Sequence, residues 1–454
     1  MNESAVVKKV LWHLIPFCVL CYLLNYIDRV NISVAKLKMV YDAHAGAGLL
    51  WFDAHVYDIG AGIFFLGYFL FELPSNLILE RVGARRWIAR IMLSWGLISM
   101  SFIWVQSPWS FYGLRFLLGI AEAGFFPGMI LYLSYWIPQR YRARAAALFL
   151  TSTALAGVIG NPLGGTILYL TDAAPLHLQN WQWLFLSEGF PSIVLGLITL
   201  FFLTDRPANA RWLSPAERDT LATILAREQA AHPGHDKAGL RDALKSRHTW
   251  ILSLLYGLTI FGFYMVNFYT PTIVKDALTS NGIIAQTTPR HIADLWASLF
   301  SAIPFGAATV GMVLIGRHAD KMNERKFHLA FACGLIAIGM TTAGLARLIP
   351  GNLGTLLVIV GLSVGAMGVF GQFGPFWALP SQLMTGTAAA AAFAIINSIG
   401  NLLGGYLGPM LQSYLGMQYV LLLAGALGAC AMLLALLAPI PKMSVQQPES
   451  LHSH

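Results

Sequence analysis

Long apolar stretches dominate this sequence and restrict what it can fold into. There are twelve of them, each of about the 20 residues that a helix needs to cross a bilayer. Charged residues make up 11% of the chain, against about 25% in soluble proteins, so the chain lacks the polar surface that a soluble fold requires. The short alternating segments of a membrane β-barrel are absent. The sequence therefore predicts an all-α membrane protein with twelve transmembrane helices.

The predicted spans form two groups of six around a linker of different composition. Residues 205–247 contain 14 charged residues in 43, about three times the average of the chain. Within this linker, Ser214, Pro215 and Glu217 are spaced as at the start of a short amphipathic helix. We divide the chain into a first bundle (1–204), a cytoplasmic linker (205–247), a second bundle (248–440) and a cytoplasmic tail (441–454). The predicted spans are 11–35, 55–79, 87–106, 109–137, 143–170, 182–204, 249–274, 292–316, 327–346, 353–383, 388–415 and 417–439.

The basic residues are distributed unevenly between the two sides of the predicted bundle. If both termini are cytoplasmic, that side holds 22 of the 29 Lys and Arg, while the outer loops hold five. The positive-inside rule favours this orientation, which also accounts for the net charge of +8 without nucleic acid as a partner. The residues that we assign to outer loops are Lys36, Lys38, Lys275, Arg290 and Arg347.

Two short motifs recur at one offset. NLILERVGARR at 76–86 matches GRHADKMNERK at 316–326, and GNPLGG at 160–165 matches GNLLGG at 400–405. Both pairs are 240 residues apart, which indicates two duplicated six-span halves. We predict tight loops after spans 2 and 8, and close helix packing at the glycines of spans 5 and 11.

The two loop motifs carry acids and bases in matching positions. Such groups can pair and lock a conformation, and we predict that these loops act as gates on the cytoplasmic side, holding the state that is open to the outside. The residues in register are Glu80 with Asp320, Arg81 with Lys321, and Arg85 with Arg325.

Four charged residues cluster in two of the predicted spans, 1 and 4. Asp28 and Arg29 end an apolar run in span 1, and Arg115 and Glu122 are seven residues apart in span 4, about 10.5 Å along one helix face. Each such charge costs roughly 2.5 to 3.5 kcal/mol at the centre of a bilayer. We therefore expect Asp28 and Arg29 to face a watery cavity, with the acids bonded to the arginines across spans 1 and 4.

The chemistry of these four residues suggests an anion site that is coupled to protons. Arg29 and Arg115 can each present a planar pair of donors to a carboxylate, while Asp28 and Glu122 can bind protons. A substrate that competes for the arginines frees the acids for protonation, which links the two ligands. The alternative is that the four residues form buried salt bridges that hold the bundle together.

The second half lacks these charges at the positions offset by 240. We therefore expect it to supply aromatic and amide contacts. Tyr264 and Asn267 lie near Pro271 in span 7, and an asparagine is costly to expose to lipid, so both are predicted to face a ligand. The uncharged residues at the offset positions are Phe268, Tyr269, Thr355 and Leu362.

The chain resembles the major facilitator superfamily in its twelve spans, its repeat and its loop pattern, although Asn76 and Glu80 stand where that family usually has Gly and Asp. Four segments more narrowly resemble its anion:cation symporter branch, which includes bacterial galactonate, tartrate and phthalate permeases and vertebrate vesicular glutamate carriers. These segments are NYIDRVNIS in span 1, ELPSNLILERVGARR after span 2, RFLLGIAEAGFFPG in span 4 and WLSPAE in the linker.

The resemblance implies a fold, a location and a function. It implies the MFS fold with two pseudo-symmetric halves, in a bacterial inner membrane, and a proton-coupled symporter that imports a small organic carboxylate by alternating access. The proton and substrate residues of that branch correspond here to Asp28, Arg29, Arg115 and Glu122. Looser correspondences add four substrate contacts, which are Tyr26, Tyr68, Trp377 and Asn397.

The sequence contains no phosphate-binding loop and no HExxH motif, so we predict no enzyme activity, no metal and no cofactor, with protons as the coupling ion. The expected partners are the carboxylate, protons and lipid, and we expect a monomer. Two other functions remain open. One is a proton-coupled drug antiporter, since GNPLGG in span 5 is similar to the glycine-proline motif of exporters. The other is a membrane receptor for the same anions.

Overall fold

Twelve helices long and apolar enough to cross a membrane make up the fold. Among the residues that the structure describes, the β pairing consists of one isolated bridge between Val40 and Leu49. The predicted class, an all-α membrane protein of twelve spans, is confirmed. The computed structural model describes residues 3–41, 48–173, 175–230, 239–285, 287–383 and 386–438.

The helices follow the predicted order. Those of the first half are Glu3–Met39 (span 1), Ala54–Val82 (span 2), Ala84–Met100 with the 3₁₀ turn Ser101–Trp104 (span 3), Pro108–Glu122 and Phe125–Ser134 (span 4), Gln139–Leu170 (span 5) and Asn180–Phe202 (span 6). Those of the second half are Arg247–Ser280 (span 7), Arg290–Phe300 and Ala302–Met322 (span 8), Lys326–Ala346 (span 9), Gly351–Gly371 and Phe373–Leu383 (span 10), Gly386–Gly400, the π-helix Asn401–Tyr406 and Leu407–Leu415 (span 11), and Met417–Leu437 (span 12). Shorter helices are Pro175–His177, Pro207–Asn209, Pro215–Ala230 and Gly239–Lys245.

Several helices extend beyond the spans that hydropathy predicts. Span 1 has 37 residues and is therefore about 55 Å long, whereas the hydrocarbon core of a bilayer is about 30 Å thick. Lys36 and Lys38 lie in its last turn and Lys275 lies in span 7, so their assignment to loops is corrected. A charged residue lowers the local hydropathy without ending the helix.

The linker helix Pro215–Ala230 begins where the sequence predicts. The Ser214 N–H donates to Glu217 Oε2 at 2.8 Å, and the Glu217 N–H donates to Ser214 Oγ at 3.2 Å. Lys9 of span 1 also donates to Glu217, at 2.7 Å. This bond from Lys9 lowers the pKa of Glu217, and the bond from the Ser214 backbone adds to the effect. The linker helix is thereby attached to the start of span 1, and we call this end of the bundle the linker end.

Each of the two repeated loops contains a residue with a positive φ, although the ψ angles of the two residues differ. Gly83 has a φ of 96° and Asn323, 240 residues later, has a φ of 50°, and both values lie in the left-handed region that glycine and asparagine tolerate best. Each loop is tied to its own half. The Arg85 N–H donates to Asp205 at the end of span 6 (2.8 Å), and Lys326 donates to the Ala438 carbonyl after span 12 (3.0 Å).

The predicted gating residues make contacts within one half. Asp320 pairs with Arg325 of the same loop at 2.5 Å. Arg81 and Lys321 are exposed, and the side chain of Glu80 lies outside the described residues. The bonds therefore fix each loop to its own half, and the gating role of the two loops stays a prediction.

The repeated glycines of spans 5 and 11 allow the two halves to approach closely. A Cβ atom on Gly165 would lie 2.3 Å from Ser298 in span 8, and one on Gly405 would lie 2.5 Å from the Phe65 ring in span 2. Any larger residue would push these helices apart. The predicted close packing is confirmed, and in both cases the partner belongs to the opposite half.

Candidate functional site

A small cavity lies between the two halves. Its volume is about 30 Å³, enough for a water molecule or two but too small for an organic acid. Spans 1, 2, 4 and 5 line one side, and spans 7, 10 and 11 line the other. Six of the predicted site residues line it, namely Tyr26, Arg29, Tyr68, Tyr264, Trp377 and Asn397.

An ion pair between spans 1 and 4 lies at the cavity wall. Arg29 donates to Glu122 Oε2 through Nε at 3.0 Å and Nη2 at 2.8 Å. Asn25 donates to the same oxygen at 2.9 Å, whereas Glu122 Oε1 has no hydrogen-bond partner among the described residues. The guanidinium also lies 5.1 Å and 5.2 Å from the rings of Tyr26 and Tyr68. The predicted bond between an acid of span 4 and an arginine of span 1 is therefore present.

A second guanidinium lies one ring away from this pair. Arg115 is fully buried and donates through Nε to the Gly60 carbonyl at 3.1 Å, while its Nη1 and Nη2 have no hydrogen-bond partner in the part of the chain that the structure describes. Both arginines lie near the Phe64 ring, whose centre is 5.4 Å from the Arg29 guanidinium and 4.9 Å from that of Arg115. Arg115 does not line the cavity, so it contributes charge to the site at short range without touching the cavity.

Asp28 is placed differently from our expectation. Its carboxylate accepts bonds from Ser192 (2.6 Å), Trp95 (3.0 Å) and Ser99 (3.2 Å) and does not line the cavity. Successive helical residues point about 100° apart, so Arg29 faces span 4 while Asp28 faces spans 3 and 6. The expectations that Asp28 faces a cavity and bonds an arginine are wrong, and its role in proton coupling stays a prediction.

The second half supplies aromatic and amide groups to the cavity, as expected, but one of the predicted residues does not line it. Tyr264 lines the cavity and donates to Asn401 Oδ1 at 2.7 Å. Asn267 does not line it and instead donates to the Phe263 carbonyl of its own helix at 2.8 Å. Because an asparagine can satisfy a carbonyl one turn earlier, burial of Asn267 did not require a ligand.

Several site residues escaped the sequence analysis. Asn25 and Glu72 carried no assigned site role, although Asn25 is one helical turn before Arg29 and holds Glu122. Glu72 accepts a bond from Asn397 of the opposite half at 2.6 Å. A buried polar residue four positions from a known charge was the available signal. The other lining residues that we missed are Tyr22, Phe126, Leu150, Thr153, Tyr256, Ile260, Phe263, Phe373 and Asn401.

Bonds between the halves close the cavity on both sides. Toward the linker end, Glu72 bonds Asn397 and Ser398. Toward the opposite end, Tyr57 donates to the Phe268 carbonyl at 2.8 Å. Further bonds between the halves at that end join Tyr269 to Asp58 (2.8 Å), Lys38 to Asp294 (3.5 Å) and Arg290 to the Leu37 carbonyl (2.7 Å). A ligand can therefore reach the cavity after one of the two sets of bonds has opened.

Comparison with known proteins gives matches along nearly the whole chain. A family profile described as Major Facilitator Superfamily matches residues 18–402. A putative tartrate transporter of Agrobacterium vitis is 41% identical over 413 residues, which cover 91% of this chain and 88% of that protein. A quinolone resistance transporter of Acinetobacter baumannii is 38% identical over 418 residues, which cover 91% and 90%.

A solved structure gives the same fold at low identity. It is described as a partially occluded inward open conformation of the xylose transporter XylE from E. coli. The match has a TM-score of 0.68 and 18% identity, and it covers 94% of this chain and 97% of that one. At this identity the likeness concerns the arrangement of helices alone.

Proposed function

Because the chain belongs to the major facilitator superfamily, we propose that it is a proton-coupled symporter that imports a small organic carboxylate by alternating access. The family consists of multi-pass membrane transporters, so enzyme and receptor functions are set aside. Beyond membership of this family, the proposal specifies the charge of the substrate, the coupling ion and the direction of transport.

The balance of charge beside the cavity carries the proposal. The guanidinium groups of Arg29 and Arg115 both lie near the Phe64 ring, 5.4 Å and 4.9 Å from its centre, and Glu122 forms its ion pair with Arg29. Of these two buried cations, Arg29 is paired directly with a carboxylate whereas Arg115 donates to a backbone carbonyl, and a buried charge without a paired counter-ion is costly. A substrate carboxylate would supply the missing negative charge, and the aromatic walls exclude water from around it.

Glu122 is the acid best placed to couple protons to this step. Its Oε2 shares the donors of Arg29 and Asn25, while its Oε1 is unbonded. A substrate carboxylate that takes over the Arg29 donors removes the partner that favours ionised Glu122, and protonation then becomes easier. By reciprocity, a proton on Glu122 releases Arg29 for the substrate. Proton and anion thus bind together.

The direction of transport follows from the proposed proton symport together with the proposed orientation in the membrane. With 22 basic residues on the side of the linker, the linker end faces the cytoplasm of a bacterium and the opposite end faces outward. In each cycle the bonds at the outer end open first, the cavity widens and loads, and the bonds of Glu72 at the linker end then release the substrate inside. Each half moves as a unit around the site.

Transport by reconstituted protein tests the proposal. The protein is placed in liposomes with an inward proton gradient, and uptake of labelled tartrate, galactonate and phthalate is measured. We expect at least one of the three to accumulate above its external concentration and to be lost when a protonophore is added. Absence of gradient-driven uptake for all three would refute the proposal.

A second candidate is proton-coupled export of an aromatic compound. The relative named as a quinolone resistance transporter and the aromatic rings around the cavity favour it. Against it, Arg29 and Arg115 repel a cationic substrate. The same liposomes distinguish the two functions. An exporter would move labelled norfloxacin against the direction of the proton flow and would not transport tartrate, galactonate or phthalate.

A further inference from the structure

A second pair of opposite charges lies on the face of span 1 that carries Arg29. Lys36 follows Arg29 by seven residues, so it is about 10.5 Å further along and within about 20° around the helix. Its Nζ is 3.9 Å from Asp58 Oδ1 in span 2, and the two side chains are 7% and 1% exposed. Two buried charges at this position indicate a functional role, because the cost of removing them from water opposes their burial.

The surroundings of Lys36 repeat those of Arg29. The Lys36 ammonium lies 4.0 Å from the centre of the Tyr57 ring and 4.9 Å from that of Tyr269. Arg29 likewise has one carboxylate partner and two tyrosine rings. In both places a cation is held by aromatic faces and compensated by one acid, which is the arrangement that we propose for carboxylate binding.

The Lys36–Asp58 pair leaves bonding capacity unused. A separation of 3.9 Å is too long for a hydrogen bond. Asp58 Oδ1 accepts instead from the Tyr269 hydroxyl at 2.8 Å, and its buried Oδ2 has no hydrogen-bond partner within the described ranges of the chain. The ammonium therefore has a counter-ion nearby without a direct bond to it, and another carboxylate can come closer than Asp58 does.

The position of the pair places it on the route to the cavity. Tyr57 and Asp58 bond Phe268 and Tyr269 of the second half, so this pair lies where the halves separate when the outer end opens. Separation removes Tyr269 from both Asp58 and Lys36. Lys36 then lines the opened gap two helical turns above Arg29.

We propose that Lys36 and Asp58 form an outer docking site for the carboxylate that later binds Arg29. This inference rests on the proposed function. Asp58 and the substrate compete for the Lys36 ammonium, so that the substrate is held there briefly and then passes to Arg29, where two arginines offset its charge. The ligand class is a small organic anion with a free carboxylate.

A purely structural role for the pair makes a different prediction. If Lys36 and Asp58 did no more than hold the halves together, removing either partner would weaken the same closed state and change transport in the same direction. Competition predicts changes in opposite directions, because loss of Lys36 removes the docking group whereas loss of Asp58 removes its competitor.

The experiment measures the KM of Lys36→Gln and Asp58→Asn from each face of oriented liposomes. The probe is whichever of tartrate, galactonate and phthalate the wild-type protein takes up fastest. At the outer face we expect Lys36→Gln to raise the KM about tenfold, equivalent to about 1.4 kcal/mol, and Asp58→Asn to lower it. At the linker face both variants should have the wild-type KM. Lys36→Arg should restore the outer KM.

Lys38→Gln is the matched control, since it removes the same charge nine residues from Arg29, on the opposite face of span 1, and breaks a contact with Asp294. Because Lys38 also helps to close the outer end, this variant controls for loosening of that end, and its outer KM should not rise above that of wild type. Equal effects of Lys36→Gln and Lys38→Gln, or shifts of the same sign for Lys36→Gln and Asp58→Asn, would overturn the docking site while leaving the proposed function intact. Wild-type protein that takes up none of the three probes would overturn both.

Discussion

At the scale of residues, Arg29 and Glu122 form the contact on which substrate and proton meet. Arg29 uses two nitrogen atoms on one carboxylate oxygen, which a planar guanidinium can do and an ammonium cannot. Arg115 lies beside the Phe64 ring and contributes positive charge to the site without lining the cavity. The two arginines should therefore differ in how strictly their shape matters.

Replacement of Arg29 by lysine should weaken carboxylate binding about ten- to hundredfold, because a charge-assisted hydrogen bond is lost while the charge is kept. Arg115→Lys keeps the positive charge beside Phe64 and should change the affinity for the carboxylate by less than about threefold. Binding to detergent-solubilised protein, measured calorimetrically for the probe with the fastest uptake, compares the two. Equal losses in both variants would contradict direct docking on Arg29.

Replacement of Glu122 by glutamine should abolish proton-driven accumulation and spare exchange of internal for external substrate. A glutamine can fill the place of a protonated glutamate, but it cannot release a proton. Accumulation and exchange are measured in the same liposomes, so that exchange reports whether the variant is folded. A variant that still concentrates substrate against its gradient would rule out Glu122 as the coupling group.

The sequence was sufficient to select the charged residues but not their partners. Hydropathy identified Arg29, Glu122 and Asp28 as charges within spans. Helical periodicity gives the angle between neighbouring residues, yet it does not tell which helix lies opposite each face, and so Asp28 was expected at the cavity. Lys36 was assigned to a loop because hydropathy cannot locate the end of a helix that extends beyond the bilayer.

At the scale of elements, the helices next to the cavity depart from regular α-helix. Span 4 is interrupted directly after Glu122, where Gly124 has a φ of 84°. Span 11 contains a π-helix, Asn401–Tyr406, whose first residue bonds Tyr264. Such irregular turns often occur at functional sites. The GNLLGG motif predicted tight packing in span 11, but the sequence carries no signal that separates a π-helix from an α-helix.

Close packing of spans 2 and 4 sets the position of Glu122. A Cβ atom on Gly119 would lie 2.0 Å from the Phe64 carbonyl oxygen, so Gly119→Ala should force the two spans apart and destabilise the protein by about 1 to 3 kcal/mol. Gly113→Ala in the same helix meets nothing within 4 Å and should be neutral or stabilising. Thermal unfolding in detergent compares the two, and equal melting temperatures would contradict this packing.

At the scale of the whole molecule, two bundles meet around a cavity that is closed on both sides. The sequence repeat predicts these halves with an offset of 240, but the offset between matching helices changes along the chain. Span 4 begins at Pro108 and span 10 at Gly351, 243 residues apart, so the counterpart of Arg115 is nearer to Val358 than to Thr355. Both are uncharged, and the asymmetry of charge between the halves stands.

Asp294 is the centre of the closure at the outer end. This buried acid lies 2.7 Å from Lys275 and 3.5 Å from Lys38 of the other half. Asp294→Asn should therefore loosen that end, because Lys275 loses its acid and Lys38 loses its ion pair with the second half. In a Cys430→Ser background, a cysteine at the buried Ser298 should react several times faster with an impermeant maleimide.

Asp276→Asn is the control for this measurement. Asp276 pairs with Arg347 at 3.3 Å within the second half and interacts with Lys36 of the first half only at longer range, so its loss should raise the labelling rate less than the loss of Asp294. The closure would lie elsewhere if Asp294→Asn labelled no faster than this control.

Proton movement driven by substrate alone tests the central claim most directly. Liposomes with equal pH on both sides enclose a pH-sensitive dye, and the carboxylate with the fastest uptake is added outside. Wild-type protein should acidify the interior as the anion enters, and Glu122→Gln should not. Uptake without acidification, or alkalinisation of the interior, would contradict proton-coupled import of an organic anion.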